Sequence, residues 1–364
     1  MRIALTHAFC WPEVRRGAER FLPELAAALR RRGHEVVHYS AAWEAGTTVE
    51  RGVTTVRLRR RFADQYRHEA DFGRRLLPRL AAQRFDAVHS LGRHDAVASI
   101  RAARLRRDGR RTVVTDLGIP DPGWWRQQGR LQARAAARVI AAIDVYSAMS
   151  RTAVDALSAG YGRTDGVVVP GGVDLAAFAP APARAPRPVI LFSGAITEAR
   201  KGVSVLLAAL PAVAALEPDV ELWLSGPGNV EPLLAAGPAG VRQRVRALGV
   251  GAVDRQPERY GRAWVTCLPS THDSFGMALL ESLACGTPLV TTTHSAPQEL
   301  VTEGVTGTLC PPGDPAALAQ ACLRGLALAQ RPETVTACRA AAEPYDWDGG
   351  LAPLCERLYE RGAG

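Results

Sequence analysis

One carboxylate, Glu281, lies in a long stretch of the chain that is otherwise uncharged, eight residues after Asp273. Residues 275–284 have the composition of a helix, and Ser274 is its expected N-cap. A charged side chain in a short, largely apolar helix is costly unless it finds a hydrogen-bonding partner. No basic residue lies nearby in the sequence, so the hydroxyl groups of a ligand are the predicted partner of Glu281. A hydrogen bond to a distant arginine is the alternative.

The start of the same helix is a predicted phosphate site. The first backbone N–H groups of a helix have no partner within the helix, and here they belong to residues near Phe275, Gly276 and Met277. Gly276 allows a ligand to approach the backbone closely. A ribose could then reach Glu281, while Asp273 would face the group beyond the phosphates. The alternative for Asp273 is a cap of the helix.

Lys201 is the only lysine among 45 basic residues, and it lies in the stretch G-A-I-T-E-A-R-K-G. In a chain that otherwise uses arginine, a single lysine suggests a position that requires a compact ammonium charge. A chance survivor in an arginine-biased composition explains it equally well.

Length and composition indicate a two-domain protein of the cytoplasm. The chain has 364 residues, of which 47% are hydrophobic, enough for two ordinary cores. The first strand begins at residue 2 with no cleavable leader before it, and we expect no membrane-spanning run. The seven cysteines are scattered without C-x-x-C spacing, which favours reduced core residues over disulfides or a metal site.

The net charge of +9 is carried by the first half of the chain. Residues 1–178 contain 30 basic and 18 acidic residues, with arginine clusters at 30–32, 57–61 and 101–111. We expect these clusters to be mainly solvated helix faces; an anionic acceptor or a peripheral contact with the inner face of an anionic membrane stays open. No aromatic residues alternate with the arginines, which argues against a nucleic-acid partner. The oligomeric state is left open.

Apolar strands alternate with helical segments throughout the chain, which predicts α/β architecture with two Rossmann-like, doubly wound domains. A proline-rich segment at residues 179–188 interrupts the alternation and is predicted to be a semi-rigid spacer. The expected division is therefore an N-terminal domain at 1–178, a linker at 179–188, a C-terminal domain at 189–345 and a C-terminal helix at 346–364.

The second domain is expected to carry both candidate motifs at the carboxyl ends of its strands, where parallel sheets bind ligands. The segment from Gly194 to Lys201 follows its first predicted strand, and Asp273 follows a later one. The predicted strands of this domain are at 189–192, 220–225, 263–268 and 288–292, and its helices at 203–216, 230–248, 275–284, 314–328 and 334–342. The last helix is predicted at 351–361.

With these residues assembled, the chain resembles the retaining glycosyltransferases of the GT-B, family-4-like group over almost its whole length. Four segments carry the resemblance together with the Asp273–Glu281 pair, in which most members have glutamate at the first position. These are R-G-A-E at 16–19, V-V-P-G-G-V-D-L-A-A-F at 168–178, the segment of Lys201, and E-L-V-T-E-G-V-T-G at 299–307. The Tyr345–Trp347 segment resembles the one that leads the last helix back to the first domain.

The resemblance implies metal-independent transfer of a hexose-type sugar, with retention, from a nucleoside diphosphate donor to an acceptor hydroxyl of a small molecule or lipid. UDP is favoured over GDP, and no cofactor is required. The implied catalytic residues are Lys201, at the departing phosphate, and Asp273, at the donor sugar. Further donor contacts fall to Gly17, Gly194, Arg200, Phe275, Gly276, Met277 and Glu281, and acceptor contacts to Glu19 and Asp116.

Two positions depart from the family's pattern. Members often carry an arginine six residues before the lysine, where this chain has Ala195, and Arg200 is the nearest substitute. Members also often carry a histidine in a T-x-H-G context, where this chain has Leu117 between Asp116 and Gly118. These departures leave open a non-catalytic sugar-nucleotide-binding partner subunit. An epimerase acting on a nucleotide sugar is a second alternative.

Overall fold

The computed structural model describes residues 1–11, 13–14, 17–120, 122–127, 129–251 and 253–360. The chain forms two compact units. The first contains Met1–Gly172 and the chain from Trp347 onward, and the second is Val173–Asp346. Each unit is built on its own mostly parallel sheet, as the alternation of strands and helices predicts.

The first unit has a sheet in the order β3-β4-β2-β1-β5-β6-β7-β8, in which only the β3–β4 pair is antiparallel. The strands are β1 (Arg2–Thr6), β2 (Glu35–Ala42), β3 (Gly46–Glu50), β4 (Val53–Arg59), β5 (Ala87–Ser90), β6 (Arg111–Asp116), β7 (Val145–Ala148) and β8 (Val167–Val168). The helices are α1 (Gly17–Arg31), α2 (Gln65–Ala82), α3 (Arg93–Arg106), α4 (Pro122–Gln127), α5 (Arg130–Ala142) and α6 (Arg151–Tyr161).

The second unit has a fully parallel sheet in the order β11-β10-β9-β12-β13-β14. The strands are β9 (Val189–Ser193), β10 (Glu221–Ser225), β11 (Val245–Gly249), β12 (Val265–Leu268), β13 (Leu289–Thr292) and β14 (Gly307–Cys310). The helices are α7 (Val203–Leu216), α8 (Glu231–Ala236), α9 (Gln256–Arg262), α10 (Met277–Ala284), α11 (Pro315–Ala329) and α12 (Pro332–Ala342).

The C-terminal residues belong to the first unit. A π-helical turn at Trp347–Leu351 leads into α13 (Ala352–Tyr359). The Trp347 ring packs edge-on against Phe21 of α1, with ring centroids 5.4 Å apart, and it is buried in the same core as β1. The sequence predicted this helix at 351–361, and the last of those residues, Arg361, lies outside the described residues.

The expectation of a proline-rich spacer at 179–188 is wrong, because this segment packs against the second unit. The backbone amide of Ala185 donates to the carbonyl of Arg262 at 2.8 Å, and the Trp264 indole donates to the carbonyl of Ala185 at 2.9 Å. The Arg184 guanidinium donates to the carbonyl of Ala263 at 2.7 Å. These hydrogen bonds hold the segment against the residues that lead into β12. The boundary between the two units falls after Gly172.

The predicted helix at 230–248 is also wrong. α8 ends at Ala236, where Gly237 and Pro238 follow, and residues 245–249 form the edge strand β11. β11 pairs with β10 through Val245, opposite Leu222, and it is half-exposed to exposed along its length. An edge strand with one covered face carries little of the continuous apolar signal that marks an interior parallel strand.

The stretch Ala199–Leu216 has the length and composition of a membrane span, contrary to the expectation that no run would approach it. It consists of a 3-10 turn and α7. The Leu206, Leu207 and Leu210 side chains are buried within the second unit. The apolar composition is therefore that of a core helix.

Candidate functional site

The structure brings Lys201 and Asp273 together, although 72 residues separate them. The Lys201 ammonium donates to Asp273 Oδ2 at 2.5 Å, and both side chains are largely buried, at 15% and 12% exposed. The reason is topological. β9 and β12 are parallel neighbours, so the loops that follow them leave the sheet at the same edge. The Thr271 amide, which donates to the Arg200 carbonyl at 2.9 Å, ties the two loops together.

The amino end of α10 opens beside this ion pair. The helix begins at Met277, and its N-cap is Gly276, with φ of 92° and no hydrogen bond from a capping side chain. The prediction of Ser274 as N-cap is therefore wrong, because the left-handed conformation of Gly276 sets the start of the helix. Without a capping side chain, the first amides of α10 are suited to an anionic ligand.

Two hydrogen bonds hold Asp273 beside that helix end. The backbone amide of Asp273 donates to the Ser295 hydroxyl at 3.2 Å, and the carboxylate oxygen Oδ1 accepts a hydrogen bond from the Ser274 amide at 3.1 Å. Ser295 lies between β13 and a 3-10 turn that begins at Ala296, and it is 2% exposed. The carboxylate is thus directed at Lys201 from a rigid support.

The Glu281 carboxylate has a protein partner, which corrects the expectation that only a ligand would satisfy it. Its Oε2 accepts a hydrogen bond from the Tyr260 hydroxyl at 2.9 Å, and the residue is 7% exposed. This partner is a tyrosine of α9. Sequence analysis missed Tyr260 because a buried tyrosine in a short helix leaves no distinguishing pattern.

The other predicted donor residues occupy the same edge of the second sheet. Gly194 follows β9, and its amide donates to the Ser225 carbonyl at 2.9 Å. Arg200 pairs with Glu198 at 2.6 Å, and its guanidinium lies 4.0 Å from Asp273 Oδ2. The Phe275 ring is buried against Tyr345, with centroids 5.9 Å apart, so its side chain is a packing anchor.

The predicted acceptor residues and Gly17 belong to the first unit. Asp116 ends β6, and its carboxylate accepts the Tyr146 hydroxyl at 2.6 Å and the Gly118 amide at 2.9 Å. Glu19 is buried in the first turn of α1, with its Oε1 3.6 Å from His7 Nε2. Gly17 begins α1, and the neighbouring Arg16 lies outside the described residues.

A further buried carboxyl in the first unit escaped sequence analysis. Asp95, at the start of α3, accepts a hydrogen bond from the Thr6 hydroxyl at 3.0 Å. Complete burial raises the pKa of Asp95 to about 7, while nearby His7 lowers it. Thr6, His7 and Asp95 therefore form a buried polar cluster where β1 ends. No sequence signal separates Asp95 from the many surface acids of this unit.

The assembled site of the second unit can stabilise a developing negative charge. An ammonium group, the positive end of a helix dipole and the first backbone amides of α10 converge within one loop region. The Asp273 carboxylate balances the charge of the ammonium. In the part of the chain that is described, no group of three His, Cys, Asp or Glu side chains is placed to hold a metal ion.

We predict that the position of Lys201 depends on Gly202. Gly202 has φ of 74°, and a Cβ there would lie 2.2 Å from the Pro269 carbonyl oxygen. Gly304 has nearly the same φ, 73°, with nothing within 4 Å of a Cβ. Gly304→Ala should lower the free energy of unfolding by about 1–2 kcal/mol, because the new side chain only strains the left-handed backbone. Gly202→Ala should lower it clearly more, because the Cβ also clashes with the Pro269 carbonyl oxygen. Urea denaturation measures both losses. Equal losses in the two variants would contradict this view of the loop.

Family models match both halves of the chain. A model described as Glycosyltransferase Family 4 matches residues 15–177, and one described as Glycosyl transferases group 1 matches residues 187–327. Among solved structures, a sucrose-phosphate synthase of Thermosynechococcus elongatus superimposes with a TM-score of 0.83 at 20% identity, covering 99% of this chain and 98% of that one. The Anabaena protein HepE in complex with UDP gives a TM-score of 0.78 at 20% identity, covering 98% and 99%.

Curated relatives agree with the family models. A phosphatidyl-myo-inositol mannosyltransferase of Mycobacterium leprae is 35% identical over 231 residues, which span 61% of this chain and 59% of that protein. A D-inositol 3-phosphate glycosyltransferase of Xylanimonas cellulosilytica is 31% identical over 305 residues, 76% of this chain and 67% of that protein. The chain therefore belongs to the family 4 glycosyltransferases and has the two-unit GT-B fold.

Proposed function

We propose that the protein is a metal-independent retaining glycosyltransferase that transfers a hexose-type sugar from a nucleoside diphosphate to an acceptor hydroxyl. The observation that carries the proposal is the Lys201–Asp273 ion pair beside the uncapped amino end of α10. A diphosphate there would meet an ammonium charge and free backbone donors at once. An uncharged glycoside, the substrate of a glycosidase, would use neither.

The proposed catalysis acts on the leaving group. As the bond between the anomeric carbon and the phosphate oxygen breaks, negative charge grows on the β-phosphate. Lys201 and the amides of Gly276 and Met277 would stabilise that charge, each more strongly than in the ground state. The acceptor oxygen forms the new bond on the same face of the sugar, and its proton passes to the departing phosphate.

Asp273 would change partners when the donor binds. In the structure its carboxylate pairs with the Lys201 ammonium at 2.5 Å. A diphosphate would take over that neutralisation, which leaves Asp273 to accept hydrogen bonds from the sugar hydroxyls. Arg200, 4.0 Å from Asp273 and exposed to solvent, would add positive charge at the rim. We propose UDP over GDP as the nucleotide; the Anabaena structure, solved with UDP, supports this choice.

The acceptor is proposed to be the hydroxyl of a small molecule or a lipid. The names of both curated relatives contain an inositol compound, which supports a polyol acceptor. One name has the lipid phosphatidyl-myo-inositol and the other has D-inositol 3-phosphate. We propose Asp116 and Glu19 of the first unit as acceptor contacts and Gly17 as part of the donor site. Leu117 offers no hydrogen bond, so the Asp116 carboxylate is the polar group that β6 supplies at its carboxyl end.

A donor screen tests the proposal. UDP or GDP should raise the melting temperature of the protein, because a ligand that binds only the folded state stabilises it. Glu281→Ala and Lys201→Ala should abolish the shift, and Lys201→Ala should lower sugar transfer or donor hydrolysis about 100-fold or more. Arg242→Ala, which removes an exposed arginine paired with Glu231 in the same unit, is the control. Binding without turnover would favour the partner-subunit alternative, and a new sugar nucleotide formed without acceptor would favour an epimerase.

We further propose a cytoplasmic location with peripheral contact to an anionic membrane through an aromatic–arginine surface of the first unit. This surface consists of Trp43, Arg60, Phe62 and Tyr66. The three aromatic side chains are 52%, 38% and 48% exposed, respectively, and the Arg60 guanidinium lies 4.7 Å from the centre of the Trp43 ring. Exposed aromatic rings beside arginines suit the headgroup region of an acidic bilayer.

Sedimentation with lipid vesicles tests this contact. The protein should bind vesicles of phosphatidylglycerol and not of phosphatidylcholine, and salt should weaken the binding. The double variant Phe62→Ala/Tyr66→Ala should bind several-fold more weakly, because each ring contributes apolar area at the interface. Val305→Ala, which removes a 46% exposed side chain of the second unit, is the control. Equal binding of the double variant and the wild type would contradict a membrane contact through this surface.

A further inference from the structure

A chain of three hydroxyl and carboxylate groups ends at Glu281, the residue proposed to contact the ribose, and two of the three groups belong to buried residues. The Tyr260 hydroxyl is 2.9 Å from Glu281 Oε2 and 3.0 Å from the Ser193 hydroxyl oxygen. Tyr260 is 1% exposed and Glu281 is 7% exposed. The chemistry proposed above does not use Tyr260.

The direction of these hydrogen bonds follows from the number of protons available. An ionised carboxylate only accepts, and a phenol carries a single proton. The Tyr260 proton must therefore go to Glu281, and the Ser193 hydroxyl must supply the proton of the second hydrogen bond. The order of donation is Ser193 to Tyr260 to Glu281. Because a hydrogen bond to a charged acceptor is stronger than one between neutral groups, the link to Glu281 dominates.

Three different elements support this chain of groups. Ser193 is the last residue of β9, Tyr260 lies in α9 and Glu281 in α10. The Tyr260 ring packs against Phe178 with centroids 6.2 Å apart. The carboxylate of Glu281 is thus held at one oxygen by a phenol that cannot rotate away. This fixes the plane of the carboxylate and the direction in which its other oxygen accepts.

We propose that Tyr260 is a positioning residue that orients Glu281 for the vicinal hydroxyls of ribose and so selects ribonucleotides over dideoxyribonucleotides. The proposal rests on the proposed function, in which Glu281 contacts the donor's ribose. A carboxylate that is free to rotate would lose rotational freedom on accepting two hydroxyl hydrogen bonds. One that is already oriented does not, so the ribose hydroxyls add more to the affinity.

Calorimetric titration with UDP and 2′,3′-dideoxy-UDP tests this role. Wild-type protein should bind UDP more tightly than the dideoxy nucleotide. Tyr260→Phe, which keeps the ring and removes the hydroxyl, should weaken UDP binding about ten-fold, as expected for a lost hydrogen bond to a charged group. Its binding of the dideoxy nucleotide should be unchanged, because that ligand offers nothing for Glu281 to orient toward. Ser193→Ala should weaken UDP binding in the same direction and by less.

Tyr39→Phe is the matched control. It removes a buried tyrosine hydroxyl that accepts a hydrogen bond from Gln83 at 3.0 Å in the first unit, and it should leave both affinities unchanged. Equal weakening of both ligands by Tyr260→Phe would show a structural role only, and no weakening of either would also overturn the proposal. If the wild type binds neither nucleotide, the proposed function itself fails.

Discussion

An ammonium group held by a carboxylate at the open end of a helix is the interaction on which the site of the second unit depends. Taking Lys201 and Asp273 largely out of water is costly, and their contact at 2.5 Å offsets that cost. The ion pair is therefore stable, and another anion could take the place of Asp273 at Lys201. In the proposed function, a diphosphate would bring more negative charge than one carboxylate and would use the helix amides as well, which would favour the exchange of partners.

The parallel sheet brings Lys201 and Asp273 to the same edge, and glycines allow the tight turns of the backbone beside them. β9 and β12 deliver two loops to one edge, and left-handed glycines stand at both points where the backbone must turn tightly. Gly202 follows Lys201 directly, and Gly276 precedes α10. Hydrogen bonds then hold both acidic residues: the Ser295 hydroxyl accepts the backbone amide of Asp273, and the Tyr260 hydroxyl donates to the Glu281 carboxylate. The acidic residues that touch the proposed donor are thus held by groups that do not.

The sequence alone predicted what local chemistry determines. The spacing of Asp273 and Glu281, the single lysine and the alternation of strands and helices indicated the α/β fold and the family. It did not predict what depends on distant partners or on backbone conformation. Tyr260 meets Glu281 only in the folded unit, β11 is an edge strand with a weak apolar signal, and Ser274 loses the N-cap position to a left-handed glycine. The proline-rich segment has the composition of a linker, and its hydrogen bonds could not be predicted because the partners are distant in sequence, near residue 262.

The role of the helix end and of Lys201 in holding a β-phosphate is tested most directly by comparing the affinities of UDP and UMP. Calorimetry on the wild-type protein should show that UDP binds about 100-fold more tightly than UMP, since only UDP carries the phosphate that Lys201 would meet. In Lys201→Ala most of that preference should vanish, while the affinity for UMP changes little. An unchanged preference for UDP in the variant would contradict the account.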